Sequence, residues 1–276
     1  VTSVKKDFIL LIPCYNNLNG LLTSLKSIHH PFNLFEVLII DDGSTEIIIE
    51  NKIRELNPHL VFKIIRLTQN SGILTALNTG LDELNTRSDY NYIARLDCGD
   101  TCHPNRFSEQ VKFLNENPKV GLLGTWCSFT DSATGKSYLY KTKTKHDEIL
   151  KEMHIKCSFI HPTVMFRKEV LAKVGHYPKE FIHAEDYAFF WDILTFFEGA
   201  VIPRNYVNIE LATENISSKY FTEQLLSRKK IVSSKGSNNW FKLLGITLLN
   251  FKRFIPTTRI KKLKFYFYPL AKKHEQ

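Results

Sequence analysis

The sequence predicts an α/β protein built on an open, mainly parallel sheet with helices on both faces, and three observations predict it. Short apolar runs of strand length alternate four times with helically spaced segments over about the first hundred residues. These runs are continuously apolar rather than alternating in polarity, as strands covered on both faces are. Polar and acidic residues stand directly after them, at the carboxyl ends where open sheets of this class bind ligands.

Phe8 to Pro13 is the first such run, and the proline ends it. Leu18 to Ile28 carries apolar positions at helical spacing, and Glu36 to Asp42 repeats the buried-strand pattern before a turn at Gly43-Ser44. A helix is predicted over Thr45 to Leu56 and a third strand over Leu60 to Leu67. Ile73, Leu77, Gly80, Leu81 and Leu84 then share one helical face, with Asn70 and Ser71 as cap candidates. The strand Asn91 to Asp97 completes the alternation. Beyond it, a helix starts near Pro104, two strands (Val120 to Phe129 and Lys136 to Thr142) are joined by a turn at Asp131 to Gly135, and a helix covers Asp147 to Ile155. Pro162 to Arg167 reads as a strand. Ala184 to Phe197 reads as a strongly apolar helix with acids at its start.

The same layout places Asn16, Asp41, Asp42, Asp97 and Asp100 at strand ends, so they are expected in one cleft. No G-x-G-x-x-G follows the first strand and no G-x-x-x-x-G-K-[ST] occurs, which removes most support for dinucleotide and P-loop readings. The apolar run near the N-terminus is shorter than a secretory signal requires, and none elsewhere approaches the roughly 20 residues of a spanning helix. Five scattered cysteines suit a reducing cytoplasm. Cys98, Cys102 and His103 lack the second cluster that a zinc site needs.

Transfer of a sugar from a nucleoside diphosphate needs acceptors for the base and ribose, a cation for the departing diphosphate and a general base for the incoming hydroxyl. Each need points to carboxylates. The ordered motifs ILLIPCYNN, VLIIDDGST, LTQNSGILTALNTGL, RLDCGDTCHPNRF and FIHPTVMFRKEVLAKVGHYPKEFIHAEDYAFFWDIL resemble those of the GT-A-fold, family-two inverting glycosyltransferases over about residues 7 to 217. The resemblance implies a Rossmann-like GT-A fold, with residues 1–100 as the nucleotide-sugar half and 101–218 as the acceptor half. It implies a UDP-sugar donor near Pro13, Tyr15, Asn16, Asp42, Asn70 and Asp97, and a divalent cation (Mn or Mg) at Asp97 or Asp100. It also implies Asp186 as general base, with Glu185 and His161 on the acceptor side. Gly99 stands where family members usually carry a metal-binding Asp, so Asp97 or Asp100 takes that contact or the metal dependence is weaker. Consecutive helical residues point about 100° apart, so only one of Glu185 and Asp186 faces the sugar. A non-catalytic nucleotide- or glycan-binding module on the same fold is the alternative. A nucleotidyltransferase would need a glycine- and lysine-rich loop where Cys14-Tyr15-Asn16-Asn17 stands.

The net charge of +9 is uneven. From Arg228 to Gln276 there are 13 Lys/Arg and one acid, Glu275, whereas the rest of the chain is slightly acidic. Residues 219–276 are expected to form a helical basic tail. Trp240, Phe241, Leu244, Leu248 and Phe251 make an apolar stripe beside Lys242, Lys252 and Arg253, which suits an anionic membrane surface over about 238–273. Packing of that stripe on the body is the competing reading. No nucleic-acid motif accompanies the charge, so no nucleic-acid partner is expected. The resulting expectation is a peripheral enzyme on the cytoplasmic face of the membrane, using a lipid-linked saccharide acceptor in lipopolysaccharide, O-antigen or capsule biosynthesis.

Overall fold

Alternate residues of the central strands enter two different cores. In the computed structural model, which describes residues 5–211 and 220–255, Ile9 and Leu11 of β1 (Lys6–Cys14) and Leu38 and Ile40 of β2 (Phe35–Asp41) enter one core. Phe8, Leu10, Ile12, Val37 and Ile39 enter the other. This is the two-residue period of a strand with a helical layer on each side. α1 (Leu18–Lys26), α2 (Glu50–Leu56) and α4 (Arg106–Glu116) cover one face through Leu21, Leu25, Ile53, Phe107 and Leu114. α3 (Ile73–Asn85) and α7 (Glu185–Phe196) cover the other, and α7 is apolar all round because it is enclosed.

The sheet order is β3-β2-β1-β4-β8-β6-β9-β5, with β7 paired to β6. β3 (Phe62–Arg66), β2, β1 and β4 (Tyr90–Arg95) are parallel, as expected. Beyond β4 the sheet becomes mixed: β8 (Met165–Arg167) is antiparallel to both β4 and β6 (Val120–Asp131). β9 (Glu198–Leu211) runs parallel to β6 and antiparallel to the short β5 (Thr101–Cys102), and β7 (Ser137–Tyr140) is antiparallel to β6.

Several boundaries differ from the sequence reading for local reasons. The strand expected from Pro162 begins at Met165, because His161–Thr163 forms a 3-10 turn whose geometry suits proline in its first positions. The helix expected from Thr45 begins at Glu50. Neither Asn70 nor Ser71 occupies the N-cap of α3; Gly72 does, at a φ of 85° that favours glycine. β9 was not anticipated, since Pro203-Arg204-Asn205 interrupts its apolar pattern and the β6–β9 register shifts nearby.

α5 (His146–Met153) and α6 (Glu169–Val174) flank the second half of the sheet. The basic tail contributes α8 (Phe221–Lys235) and α9 (Asn239–Lys252); its part beyond Ile255 lies outside the described residues. Gly245 lets α9 approach the His154 carbonyl closely, where any Cβ would collide with backbone.

Candidate active site

The carboxyl end of β4 is organised around a buried arginine. Arg95 is fully enclosed, and a guanidinium there must find partners for its donors. It donates to the Leu11 and Leu96 carbonyls, to Nε2 of His161 at 3.3 Å and to Oδ1 of Asp97 at 2.6 Å. Burial and the Arg95 cation push the His161 pKa well below the ordinary range, so the ring is neutral and Nε2 accepts. The Tyr177 hydroxyl, 2.9 Å away, bonds the same nitrogen. His161, expected on the acceptor side, is thus held half-buried within this network.

A second buried arginine explains the P-x-R element behind the acidic turn. Arg106 donates to the Arg95 carbonyl at 2.8 Å and to Gln110 Oε1 at 3.0 Å, and Gln110 in turn donates to the Thr163 carbonyl at 2.9 Å. The Asp97 to Asp100 turn is tied from α1: Ser24 Oγ accepts the Gly99 N–H at 2.9 Å and donates to the Asp100 carbonyl at 2.8 Å. Gly99 has a φ of 106°, a conformation that an L side chain rarely adopts.

The two acids of that turn have different surroundings. Asp97 is 42% exposed beyond its pair with Arg95. Asp100 is 5% exposed and its Oδ1 accepts the Glu210 N–H at 3.2 Å. Burial, with the Asp97 charge adding to it, pushes Asp100 up to about 8. Among the described residues no group of three or more His, Cys, Asp and Glu is gathered to hold a cation. A hard cation carried on phosphate oxygens needs only one or two carboxylates, and Asp97 fits that requirement.

At the start of α7, burial and then the neighbouring Glu185 charge raise the Asp186 pKa to about 7, and Asp97 contributes in the same direction. The two aspartates therefore feel each other across the end of β4. Asp186 Oδ1 accepts the Tyr187 N–H at 2.7 Å. Burial also raises Glu185, but backbone amides from His183 to Glu185 partly compensate, so Glu185 serves the helix N-terminus. The favourable charge of Arg228 on α8 reaches Asp186. α8 also braces the preceding turn, where Gln224 donates to the His183 carbonyl at 2.9 Å and His183 stacks on Tyr220.

The donor-side residues occupy the ends of β1 and β2. Pro13 is buried in β1, whereas Tyr15 is 46% exposed and free to lie against a ring. Asn16 Oδ1 accepts from the Thr45 N–H and hydroxyl, joining the two strand ends. Asp41 accepts the Ser44 N–H and pairs with Arg66, as a turn acid does. Asp42 is 4% exposed, with Oδ1 accepting the Ser71 N–H at 2.8 Å and Oδ2 the Gly72 N–H at 2.9 Å. Asp42 thus caps the start of α3, and Asn70 Oδ1 accepts the same Gly72 N–H at 3.2 Å. The Asp97 charge acts on both Asp100 and Asp186, while Asp42 lies two strands away. Arg95, Ser24 and Arg228 were not anticipated; only Arg95 carried a signal, a charge inside an apolar strand.

A cavity of about 390 Å³ bordered by Pro118, His146, Phe197 and Glu198 lies at the opposite, amino-terminal ends of β6 and β9 and holds none of these acids.

The family described as Glycosyl transferase family 2 matches residues 9–175, more than half of the chain. An amylovoran biosynthesis glycosyltransferase, AmsE, of Erwinia amylovora is 30% identical over 183 residues, covering 65% of this chain and 66% of the relative. An Escherichia coli UDP-Gal:alpha-D-GlcNAc-diphosphoundecaprenol beta-1,3-galactosyltransferase is 31% identical over 153 residues, covering 55% and 54%. The matches to these relatives thus span only about half to two thirds of the relatives' own lengths. The crystal structure of S. aureus TarS 1-349 in complex with UDP-GlcNAc shares the fold, with a TM-score of 0.66 and 19% identity over 94% of this chain and 76% of that one.

Proposed function

The chain belongs to glycosyl transferase family 2 and has the GT-A fold, and from that premise we propose that it moves a sugar from a UDP-sugar to a saccharide hydroxyl with inversion. The observation that carries this reading is Asp186: a carboxyl raised to about 7, at the start of an enclosed helix, within the field of Asp97. A general base works best with a pKa near the working pH.

In this reading residues 1–100 bind the donor and 101–218 the acceptor. Tyr15 lies against the base, and Asn16, Asn70 and Asp42 shape the strand-end loops around the nucleoside. Asp97 would hold a divalent cation, with Arg95 fixing its carboxylate. Such a cation would neutralise the departing diphosphate. Asp186 removes the proton from the acceptor hydroxyl as that oxygen attacks the anomeric carbon, and the opposite face is left to the leaving group. Arg228 tempers the burial of Asp186 and keeps it ionisable near neutrality. Glu185 is compensated by the backbone amides of His183, Ala184 and itself and Asp186 by that of Tyr187 alone, so Asp186 is the one assigned to face the sugar.

The names of the relatives support surface-glycan biosynthesis and an acceptor carried on a lipid diphosphate. One observation favours a second reading as a non-catalytic binder: Gly99 and the inward-turned Asp100 leave Asp97 as the one exposed carboxylate of its turn. Nucleoside diphosphate release, measured across a panel of sugar nucleotides with Mn²⁺, Mg²⁺ or chelator, separates the two. Turnover of one donor supports transfer, and donor binding without release supports the binder.

A further inference from the structure

α9 is apolar on two opposite sides, and the body covers only one. Gly245 and Leu249 are buried and Ile246 packs on the core. Phe241 and Leu248, expected in a single stripe with Trp240, are half-buried flanks. The outward side is rotated from that expectation: Trp240 (71% exposed), Leu243 (62%), Leu244 (37%) and Phe251 (64%) lie on it, and Phe254 (82%) continues the line. Their spacing of three, one, seven and three keeps them on one helical face. At 1.5 Å per residue the stripe is about 20 Å long.

We infer that this outward face of α9 seats the protein on an anionic lipid bilayer. Charge supports that occupant. α9 contains no acid, and between Tyr220 and Ile255 seven Lys/Arg stand against Glu223 alone. Lys229 and Arg253 border a shallow groove between α8 and α9 with the exposed Leu226 and Asn250, so positive groups stand at the seam of the same helix pair. The 21 residues after Ile255 add six more Lys/Arg and four consecutive aromatics, Phe265 to Tyr268, to the same end of the chain. A bilayer offers apolar depth and negative headgroups together, which is what an apolar stripe with a basic rim matches. No described helix is long and apolar enough to cross a membrane, so α9 lies along the surface. α8 connects this face to the site, because it packs on α9 and also braces the turn before Asp186. The inference deepens the lipid-linked acceptor reading, although it rests on the surface of α9 and not on the chemistry.

The test uses the full chain with phosphatidylcholine vesicles, with and without phosphatidylglycerol, in the absence of any sugar nucleotide. Co-sedimentation with the anionic vesicles is expected, weakening with salt. Emission of Trp240, isolated by difference from Trp240→Phe, is expected to shift to the blue and to be quenched by brominated lipid. Leu243→Glu/Phe251→Glu, changed at two exposed positions, is expected to lose vesicle affinity by about tenfold or more while keeping wild-type circular dichroism. Equal sedimentation of that variant and the wild type would overturn the inference. So would absence of wild-type binding to anionic vesicles, or a wild-type dimer that the variant abolishes without any vesicle binding. Vesicle binding by a protein that turns over no donor would sink the transferase reading and leave this one standing.

Discussion

Replacing Asp186 by asparagine separates the chemistry of this carboxyl from its cost to the fold. Asn has nearly the same shape and keeps an oxygen for the Tyr187 N–H, so the α7 start is retained. It cannot take a proton from a hydroxyl, and transfer should fall about 10²-fold or more while donor affinity is kept. Stability should move the other way. Burial raises the group from 3.8 to about 7, equivalent to about 4 kcal/mol at ~1.36 kcal/mol per pH unit, and partial access to water reduces this to about 1–2 kcal/mol. Because the folded-state pKa is raised, the stabilising contribution is complete below the unfolded pKa and is lost as pH rises through about 7. The variant, which never ionises, should match the wild type near pH 4 and exceed it increasingly up to about pH 7, by roughly 3–6 °C in Tm. Paired thermal melts across that range, run beside transfer assays with and without the substitution, test both halves. Wild-type transfer should be about tenfold lower at pH 6 than on its plateau above pH 7. Near-normal transfer by the variant, or a Tm difference that stays flat with pH, refutes the reasoning.

Arg95→Lys should lower stability by about 1.5–3 kcal/mol, since an ammonium cannot serve the Leu11 carbonyl, His161 and Asp97 together; urea denaturation measures it, and donor affinity should fall with it because Asp97 loses its anchor. Ser24→Ala removes the hydroxyl that accepts the Gly99 N–H and donates to the Asp97 and Asp100 carbonyls, and should cost about 1–3 kcal/mol by the same measurement. Gly99→Asp should destabilise by about 1–3 kcal/mol although its Cβ meets only Asn17 Nδ2 at 3.8 Å, because the cost lies in the φ of 106°; Gly99→Ala should cost about as much, and a neutral effect of both would remove the backbone argument.

Much of the fold could be read from neighbouring residues. Continuous apolar runs such as Phe8 to Pro13 and Val37 to Ile40 specify buried strands because each side chain meets a helical layer whichever way it points. The helical spacing in α1 and α3 specifies their inward faces in the same way. β9 escaped because its pairing with β6, not its own pattern, makes it a strand. In the site, the acids themselves were visible, and the ordered motifs pointed to the family.

What the acids do was decided by partners far off in the chain. Asp42 meets Ser71 and Gly72, Arg95 meets His161, and Asp100 meets Glu210, separations of 29, 30, 66 and 110 residues that no periodicity reports. Glu185 and Asp186 are indistinguishable as neighbours; both accept backbone amides at the start of α7, and only the packing of β4, α7 and α8 adds the field of Asp97 and the charge of Arg228 at Asp186. Likewise the amphipathic character of α9 is written in its sequence, but which side stays bare depends on where Gly245 lets it rest on the body. Local sequence sets backbone preference and apolar faces through short-range sterics and burial; ionisation, exposure and pairing depend on the dielectric surroundings that only the assembled chain creates.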